Sequence, residues 1–516
     1  MRFLLMILQA VALGCASAAA GRRVMHYLQL ESYQLPGYVK SVKRNAARAF
    51  LPSVAMAAAG VAALVVSGLS GLALLLEALM ALLLVVRASR EKAKKPFVVT
   101  ERVKRLIAIH AAVNTLLAFI LLWISPVLAY LLPAFEPALL MLAAVIAAPM
   151  EKHIANQFVK DAQARLDAMP NLIKIGITGS YGKTSTKFLL RDILSVKYSV
   201  LATPSSFNTT MGVTRVIREQ LTPAHQVFIA EMGARHVGDI KELVELVHPS
   251  IGLITSVGPQ HLDTFGTIER VRDTKYELID GLPKDGTAIF ARDGAICEEL
   301  YARCPLEHKY MPGLLVDAKE IASGPWGTRF TLVDTRTGEQ ASCQTRLLGE
   351  HSISNLLLCC TAARALGMTL EEIALGVSHC QPVEHRLELL DGGAGISIID
   401  DAFNANPVGA QCALRVIAGF PGRRIIITPG MVELGGEEAA FNRKFGEQMA
   451  KCVDLAILVG KKHTQPIVEG LKNAGFPQEN IHVVGNLEES TTLLHSMMKA
   501  GDVVLYENDL PDNYSE

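Results

Sequence analysis

The chain has 516 residues, and its 50 Lys and Arg balance 50 Asp and Glu, so the formal net charge is zero. That length leaves room for about two to four domains, and the charge balance gives no electrostatic reason to expect a nucleic-acid partner. The average conceals a division, because residues 1–150 are heavily apolar while the remainder has an ordinary globular mixture.

In chain order, Phe3–Ala20 is an apolar run ending in small residues before Arg22 and Arg23. Ala18, Ala19 and Ala20 resemble the cleavage site of a signal peptide, which is the alternative to a retained span. Only Arg2 precedes the run while the strong positive charge follows it, which favours an uncleaved membrane helix. The segment from Val24 to Asn45 mixes aromatics with bases and is expected to lie along a membrane surface. Four more apolar stretches follow: Leu51–Ser67, Leu72–Val86, Leu106–Ile124 and Val127–Ala148. The first two are short for a hydrocarbon core that needs about 20 helical residues, and Gly68–Gly71 between them predicts a tight helical hairpin. Glu77 is the one charged residue read inside these runs.

Lysine and arginine placement orients the spans. One loop carries Arg22, Arg23, Lys40, Lys43, Arg44 and Arg48, and a second carries Arg90, Lys92, Lys94, Lys95, Arg102, Lys104 and Arg105. With five spans, both basic loops and everything after Lys152 share one side, which the positive-inside tendency makes the cytoplasm.

A polar helical stretch from Glu151 to Met169 ends at Pro170. The apolar runs IKIGIT, YSVLAT, QVFIAEMG, IGLITSVG and TAIFARD then alternate with helical patterns, which predicts a mostly parallel sheet covered on both faces. After Leu347 come helical residues (SNLLLCCTAARALG) and a turn at Gln381–Pro382. A second series, ISIIDDAF, RIIITPG, DLAILVG, IHVVG and DVVLYEN, starts near Arg386. The expected architecture is a membrane domain of about five helices (1–150), a P-loop-type α/β domain (151–384) and a C-terminal Rossmann-like α/β domain (385–516). The nine cysteines show no CxxC pair or metal-ligand spacing and read as reduced thiols, with Cys359 and Cys360 on a buried helix.

The chemistry begins at Ile173–Lys187, IKIGITGSYGKTSTK. An apolar strand runs into Thr178, Gly179, Ser180, Tyr181, Gly182, Lys183, Thr184 and Ser185, and a helix pattern follows. Glycines let backbone N–H groups close on a phosphate, the lysine reaches the outer phosphates, and the hydroxyl joins a Mg²⁺ shell. The strict P-loop pattern wants glycine where Ile177 stands, so this is the shorter TGxxGKT form. Glu231 closes an apolar strand in FIAEMGA, a position suited to Mg²⁺ directly or through water. His261, with Asp263 nearby, follows another strand, and Lys275 lies on the next helix, where a surface pair with Glu277 is the plainer reading. In IIDDAFNANP, Asp400, Asp401, Asn404 and Asn406 follow a strand and suit a ribose or a substrate amide, although such loops often simply make turns. Arg386, in VEHRLEL, is placed to reach a phosphate from the opposite side of a cleft.

TGSYGKTSTK, SFNTTMGV, AEMGA, HLDTFGT with TKYE, GEHSISN, EHRLEL, DDAFNANP and PGMVELG occur in the order found in the Mur ligases, and residues 170–510 resemble that family. The resemblance is strongest to the branch that adds D-alanyl-D-alanine to a UDP-muramyl tripeptide in peptidoglycan synthesis. It implies ATP-dependent amide formation through an acyl phosphate, with two Mg²⁺ sites. Carried over by position, Lys183 would hold the outer phosphates, and Thr184 and Glu231 the first Mg²⁺. His261 would lie near the second Mg²⁺, and Lys275 matches a lysine that is carbamylated in the family. Asn355 would lie near the adenine, Arg386 on phosphate and Asp401 on the ribose, while Asn404 and Asn406 would shape the space where the amine arrives.

Two departures stand out. Membrane spans replace the family's UDP-gripping N-terminal domain, and the family's basic KGSR stretch after GDxVL is the acidic YENDLPDNY here. The expectation is therefore an enzyme of the bacterial inner membrane with cytoplasmic catalytic domains, whose muramyl-peptide-like acceptor is lipid-linked or otherwise held at the membrane. Its amine would be D-alanyl-D-alanine or similar, and membrane lipid joins the partners. A polyglutamate-type ligase is the rival enzyme reading, disfavoured by GKT and DDAFNANP. An inactive membrane nucleotide sensor would require loss of Lys183, Glu231, His261 or Lys275, and all four are present.

Overall fold

The computed structural model describes residues 2–90, 96–205, 207–260, 262–324, 326–403, 406–432 and 434–509. It divides after Gln157 into two compact units. The first holds α1 (Arg2–Ala20), α2 (Arg22–Leu30), α3 (Leu35–Arg44), α4 (Ala46–Ser67), α5 (Ser70–Arg90), α6 (Glu101–Ile124), α7 (Pro126–Tyr130) and the start of α8 (Glu136–Asp167).

Among the described residues, five helical stretches are long and apolar enough to cross a membrane: α1, α4, α5, α6 and Leu132–Asp167. α4 and α5 reach 22 and 21 residues, longer than their apolar runs, and Gly68 between them adopts the left-handed φ of 67° that ends α4. α1 and α6 approach closely because residue 14 is glycine: a Cβ there would lie 2.5 Å from the Thr115 backbone. α2 and α3 are amphipathic, turning Val24, Met25, Leu28, Tyr38 and Val42 onto Val103, Leu106 and Leu140.

Two expectations for this unit are corrected. The run Val127–Ala148 is not one helix. Pro126 and Pro133 lack the N–H a continuing helix needs, so α7 and a 3₁₀ turn at Leu132–Phe135 precede α8. Glu77 is also not the one buried charge. It is sealed against Gly60, but Glu136 is sealed as well, accepting from Ser17 and lying 3.0 Å from His110 Nε2.

The second unit opens with a parallel sheet of β1 (Ile173–Thr178), β2 (Val200–Ala202), β3 (Val227–Glu231), β4 (Ile251–Ile254), β5 (Thr287–Phe290) and β6 (His308–Tyr310). Their order is β2-β3-β1-β4-β5-β6. The helices between and after them are α9 (Lys183–Leu194), α10 (Thr210–Gln220), α11 (Asp239–Val247), α12 (Leu262–Phe265), α13 (Ile268–Asp280), α14 (Ala295–Arg303), α15 (Glu350–Ala365) and α16 (Leu370–His379). Ile175 and Ile177 of β1 face α9 and α15. Phe228 of β3 faces α10, α11 and α13, where Gly176 leaves room for Leu278. From central β1 the chain first builds leftward to β2 and β3, then crosses to β4 on the right. The C-terminal end of β1 is therefore the switch point where α/β sheets place ligands.

A small antiparallel sheet not expected from the sequence follows, β7 (Val316–Gly324), β8 (Gly327–Asp334) and β9 (Gln340–Thr345). It packs Val316, Phe330, Leu332 and Cys343 against the α15 side of the core. The last sheet contains β10 (Glu388–Asp391), β11 (Ser397–Asp401), β12 (Arg424–Thr428), β13 (Leu455–Val459), β14 (Ile481–Val484) and β15 (Val503–Glu507). It is ordered β10-β11-β15-β12-β13-β14 and is parallel apart from the edge strand β10. Beside it run α17 (Pro407–Ala418), α18 (Glu438–Met449), α19 (Gln465–Asn473) and α20 (Leu487–Met497). All nine cysteines are free, and Cys359 and Cys360 lie buried on α15.

Candidate active site

The phosphate loop bridges β1 and α9. Gly179 adopts φ 149° and Gly182 φ 78°, and neither position has room for a side chain. A Cβ on Gly179 would lie 2.0 Å from Thr255 Oγ1, and one on Gly182 would lie 2.8 Å from Asn355 Oδ1. The loop is tied to the end of β4. Ser180 N donates to Ser256 O at 2.6 Å, Ser180 Oγ to Gly258 O at 3.0 Å, and Tyr181 OH to Pro259 O at 2.8 Å. Thr178 Oγ1 donates to Met232 O at 2.9 Å, so this hydroxyl braces the sheet. Ser185 sits half-buried on the first turn of α9.

Lys183 folds back over the loop, donating to Gly179 O at 2.6 Å and Ser180 O at 3.0 Å. Burial pushes its amine down to about 8, Glu231 opposes the shift and Arg386 adds to it. Those carbonyl contacts are weak competitors for a phosphate, so the ammonium is free to exchange them for a stronger anion.

Glu231 ends β3 in register with Ile177, one strand from the loop. Its carboxylate is sealed from solvent and accepts from Thr184 Oγ1 at 3.2 Å, Asn208 Nδ2 at 3.1 Å and Lys187 Nζ at 3.0 Å. Lys187 also donates to Ser205 O. Asn208 lies in SFNTTMGV and Lys187 in TGSYGKTSTK, but neither is singled out by sequence. The signal for Lys187 is its position four residues after Lys183, which puts both on the loop-facing side of α9. A carboxylate and a hydroxyl side by side at a phosphate loop are the hard-oxygen donors that Mg²⁺ takes when phosphates and water complete its shell. These residues fit that ion.

Lys275 is not at the surface beside Glu277. Its side chain is buried on α13, 6.0 Å from the Phe265 ring, while Glu277 accepts from Gly238 N and Lys241 N, both at 2.9 Å. Burial, with Lys183 nearby, pushes the Lys275 amine down to about 7. A large share of it is then neutral and nucleophilic at cellular pH. His261 and Asn404 lie outside the described residues, as does the side chain of Asp263.

Asn355, on α15, faces Gly182 and accepts from Thr186 Oγ1 at 3.4 Å, which places it against the phosphate loop. Arg386 lies just before β10, on a turn whose flanking residues, His385 and Leu387, have φ 59° and 46°. Its guanidinium stacks 4.4 Å from the Phe403 ring, burial lowers its pKa, and the fields of Glu231 and Asp401 oppose that shift. The turn is stitched to β11: Leu387 N donates to Asp401 Oδ1 at 3.1 Å, and His385 Nδ1 lies 2.7 Å from Asp400. Asn406 caps α17, accepting from Val408 N at 3.2 Å and Gly409 N at 2.9 Å. Burial pushes Asp401 up to about 6, and its partner on β15, Glu507, is sealed and pushed well above the usual range.

A phosphate loop at the switch point of a parallel sheet, a strand-end carboxylate and an arginine from a following α/β region make up a nucleotide-phosphate site. Residues 177–363 match the Mur ligase middle domain, and residues 385–506 match the Mur ligase glutamate ligase domain. The UDP-N-acetylmuramoyl-tripeptide--D-alanyl-D-alanine ligase of Mycobacterium bovis is 30% identical over 362 residues, 64% of this chain and 69% of that protein. The ligase of the same name from Bacillus subtilis is 27% identical over 338 residues, 64% of this chain and 72% of that protein. The crystal structure of MurF from Acinetobacter baumannii superposes with a TM-score of 0.63 at 25% identity, covering 70% of this chain and 78% of that one. The chain belongs to the Mur ligase family, and it is an ATP-dependent ligase.

Proposed function

We propose that this ligase joins D-alanyl-D-alanine, or a similar amine, to a muramyl-peptide-like carboxylate at the cytoplasmic face of the bacterial inner membrane, and that its acceptor is lipid-linked. The observation that carries the chemistry is the convergence on one loop of Lys183 and Thr184, the Glu231 carboxylate and, from the following domain, Arg386. The names of the relatives supply the amine and the acceptor class. Five helices suited to a bilayer, in the part of this chain outside the matched domains, support the membrane setting.

The acceptor carboxylate attacks the γ-phosphorus of ATP, the bond to the bridging oxygen breaks, and ADP leaves. The amine then attacks the acyl carbon, phosphate departs and the nitrogen loses a proton. Lys183 and Arg386 face the phosphates from two sides and offset charge that the transition state spreads over the oxygens. Thr184 and Glu231 would hold Mg²⁺, which neutralises phosphate oxygens when bound. The Lys275 amine, held largely neutral by burial, is suited to take up CO₂, forming an N–C bond and releasing a proton, and the resulting carbamate would be a further oxygen donor for Mg²⁺.

The test is ADP release by the full chain in detergent with Mg²⁺-ATP, bicarbonate and D-alanyl-D-alanine. One arm receives UDP-muramyl tripeptide, the other its lipid-linked counterpart, with Lys183→Ala as the blank. Turnover confined to the lipid arm is expected. Equal turnover with the soluble substrate would remove the lipid-linked acceptor, and no turnover in either arm would remove the proposed acid–amine pair.

A further inference from the structure

The first unit contains a cavity of about 320 Å³ at the basic end of its helices. It is lined by Leu106 from α6, by Ala147 and Ala148 from α8, and by Tyr33, Arg102 and Glu151. The charges lining it are unevenly matched. Arg105 holds Glu151 with two hydrogen bonds of 2.6 and 2.9 Å, whereas Arg102 comes no closer to it than 3.7 Å. Arg102 is positioned by stacking: its guanidinium lies 3.9 Å from the centre of the Tyr33 ring, and its side chain remains 45% exposed. The chain goes to some trouble to put that ring there. Ser32 and Tyr33 both take left-handed φ, 52° and 64°, and Tyr33 N donates to Leu28 O at 2.8 Å.

A fork of donors fixed by stacking, and ion-paired with Glu151 at 3.7 Å rather than hydrogen-bonded to it, can turn its N–H groups to phosphate oxygens. Basic pockets between membrane helices on the cytoplasmic side are where lipid head groups bind. The cavity beside Arg102 has room for a segment of hydrocarbon chain. We propose that this cavity binds the phosphate end of a single-chain lipid, the carrier of the lipid-linked acceptor, with Arg102 on the phosphate and Leu106, Ala147 and Ala148 against the start of the chain. The assignment of that lipid as the acceptor's carrier rests on the function proposed above.

The test is native mass spectrometry of the full chain in detergent, titrated with a polyprenyl phosphate, with phosphatidylglycerol or with inorganic phosphate. Arg102→Ala and Ala148→Phe, which blocks the chain path, are compared with Lys104→Ala, a control at an exposed base paired with Glu101. The polyprenyl phosphate is expected to bind in preference to the other two. Arg102→Ala weakens it about tenfold, the worth of one charge-assisted contact, Ala148→Phe weakens it by obstructing the chain, and Lys104→Ala leaves it unchanged. Equal binding of phosphatidylglycerol, binding of inorganic phosphate alone, or unchanged binding in Arg102→Ala would overturn the site. Binding is read without turnover, so the two proposals fail separately. Turnover on the lipid-linked acceptor with unchanged binding in Arg102→Ala sinks the site and spares the ligase reading. Arg102-dependent binding without turnover supports the site and sinks the acceptor.

Discussion

Lys187 and Glu231 are both closed off from solvent and lie 3.0 Å apart, so each is the other's main compensation for lost hydration. Burial lowers the Lys187 pKa, and Glu231 opposes that shift. Removing one member of such a pair leaves a buried charge alone, at a cost of about 3 kcal/mol or more. Lys187→Met keeps the length of the side chain and removes the ammonium. It is expected to lower Tm clearly without ligand and to recover part of the loss with Mg²⁺-ADP, because a divalent ion beside Thr184 would supply the missing charge. Thermal unfolding of the full chain with and without Mg²⁺-ADP checks this. An unchanged Tm would mean that Glu231 does not need the lysine as its counter-ion.

At the scale of elements, parallel register makes Asp401 of β11 the neighbour of Glu507 of β15. Burial and Asp401 push Glu507 well up, and burial pushes Asp401 up to about 6. Both groups hold protons in the fold that the unfolded chain releases near its ordinary carboxylate pKa of about 4. Their contribution to stability is therefore full at low pH and is lost as pH rises through about 6 and beyond. Glu507→Gln is expected to flatten Tm against pH between about 4 and 8 and to exceed the parent at the alkaline end. A parallel pair of pH curves would remove the coupling. The sequence exposes the acidity of this strand end but not the register that makes it a pair. The same limit runs through the site. Gly179, Gly182, Lys183, Thr184 and Glu231 are legible because strand-loop-helix chemistry is local. Lys187 and Asn208 join only when α9, β3 and the loop before α10 fold together. β7 escapes notice because nearly all of it after Val316 faces solvent or is half-buried, which removes the apolar alternation that marks a strand.

At the scale of the whole molecule, the boundary after Gln157 falls inside α8, and the residues beyond it are committed to the catalytic unit. Ala162 and Leu166 are buried in the core beside Val213, Val216 and Ile240. Arg218 stacks 4.2 Å from Phe158 and donates to Asp161 at 2.6 Å, while Arg165 donates to Arg218 O at 2.9 Å. The sequence motifs begin only near Ile173, so a fragment cut at Pro170 would look complete by motif and still lack this last stretch of helix. Losing one buried leucine with its cavity costs about 3 kcal/mol, and here Ala162 and the Phe158 stack go with it. A fragment starting at Phe158 is expected to fold and bind Mg²⁺-ADP as the full chain does, because the described phosphate-loop residues all lie in this unit. A fragment starting at Asn171 should unfold several degrees lower and aggregate through the uncovered patch around Val213 and Val216. Thermal unfolding and ADP titration of the two fragments side by side decide it. Equal Tm values would show that the end of α8 serves only as a connection, and that the catalytic core closes without it.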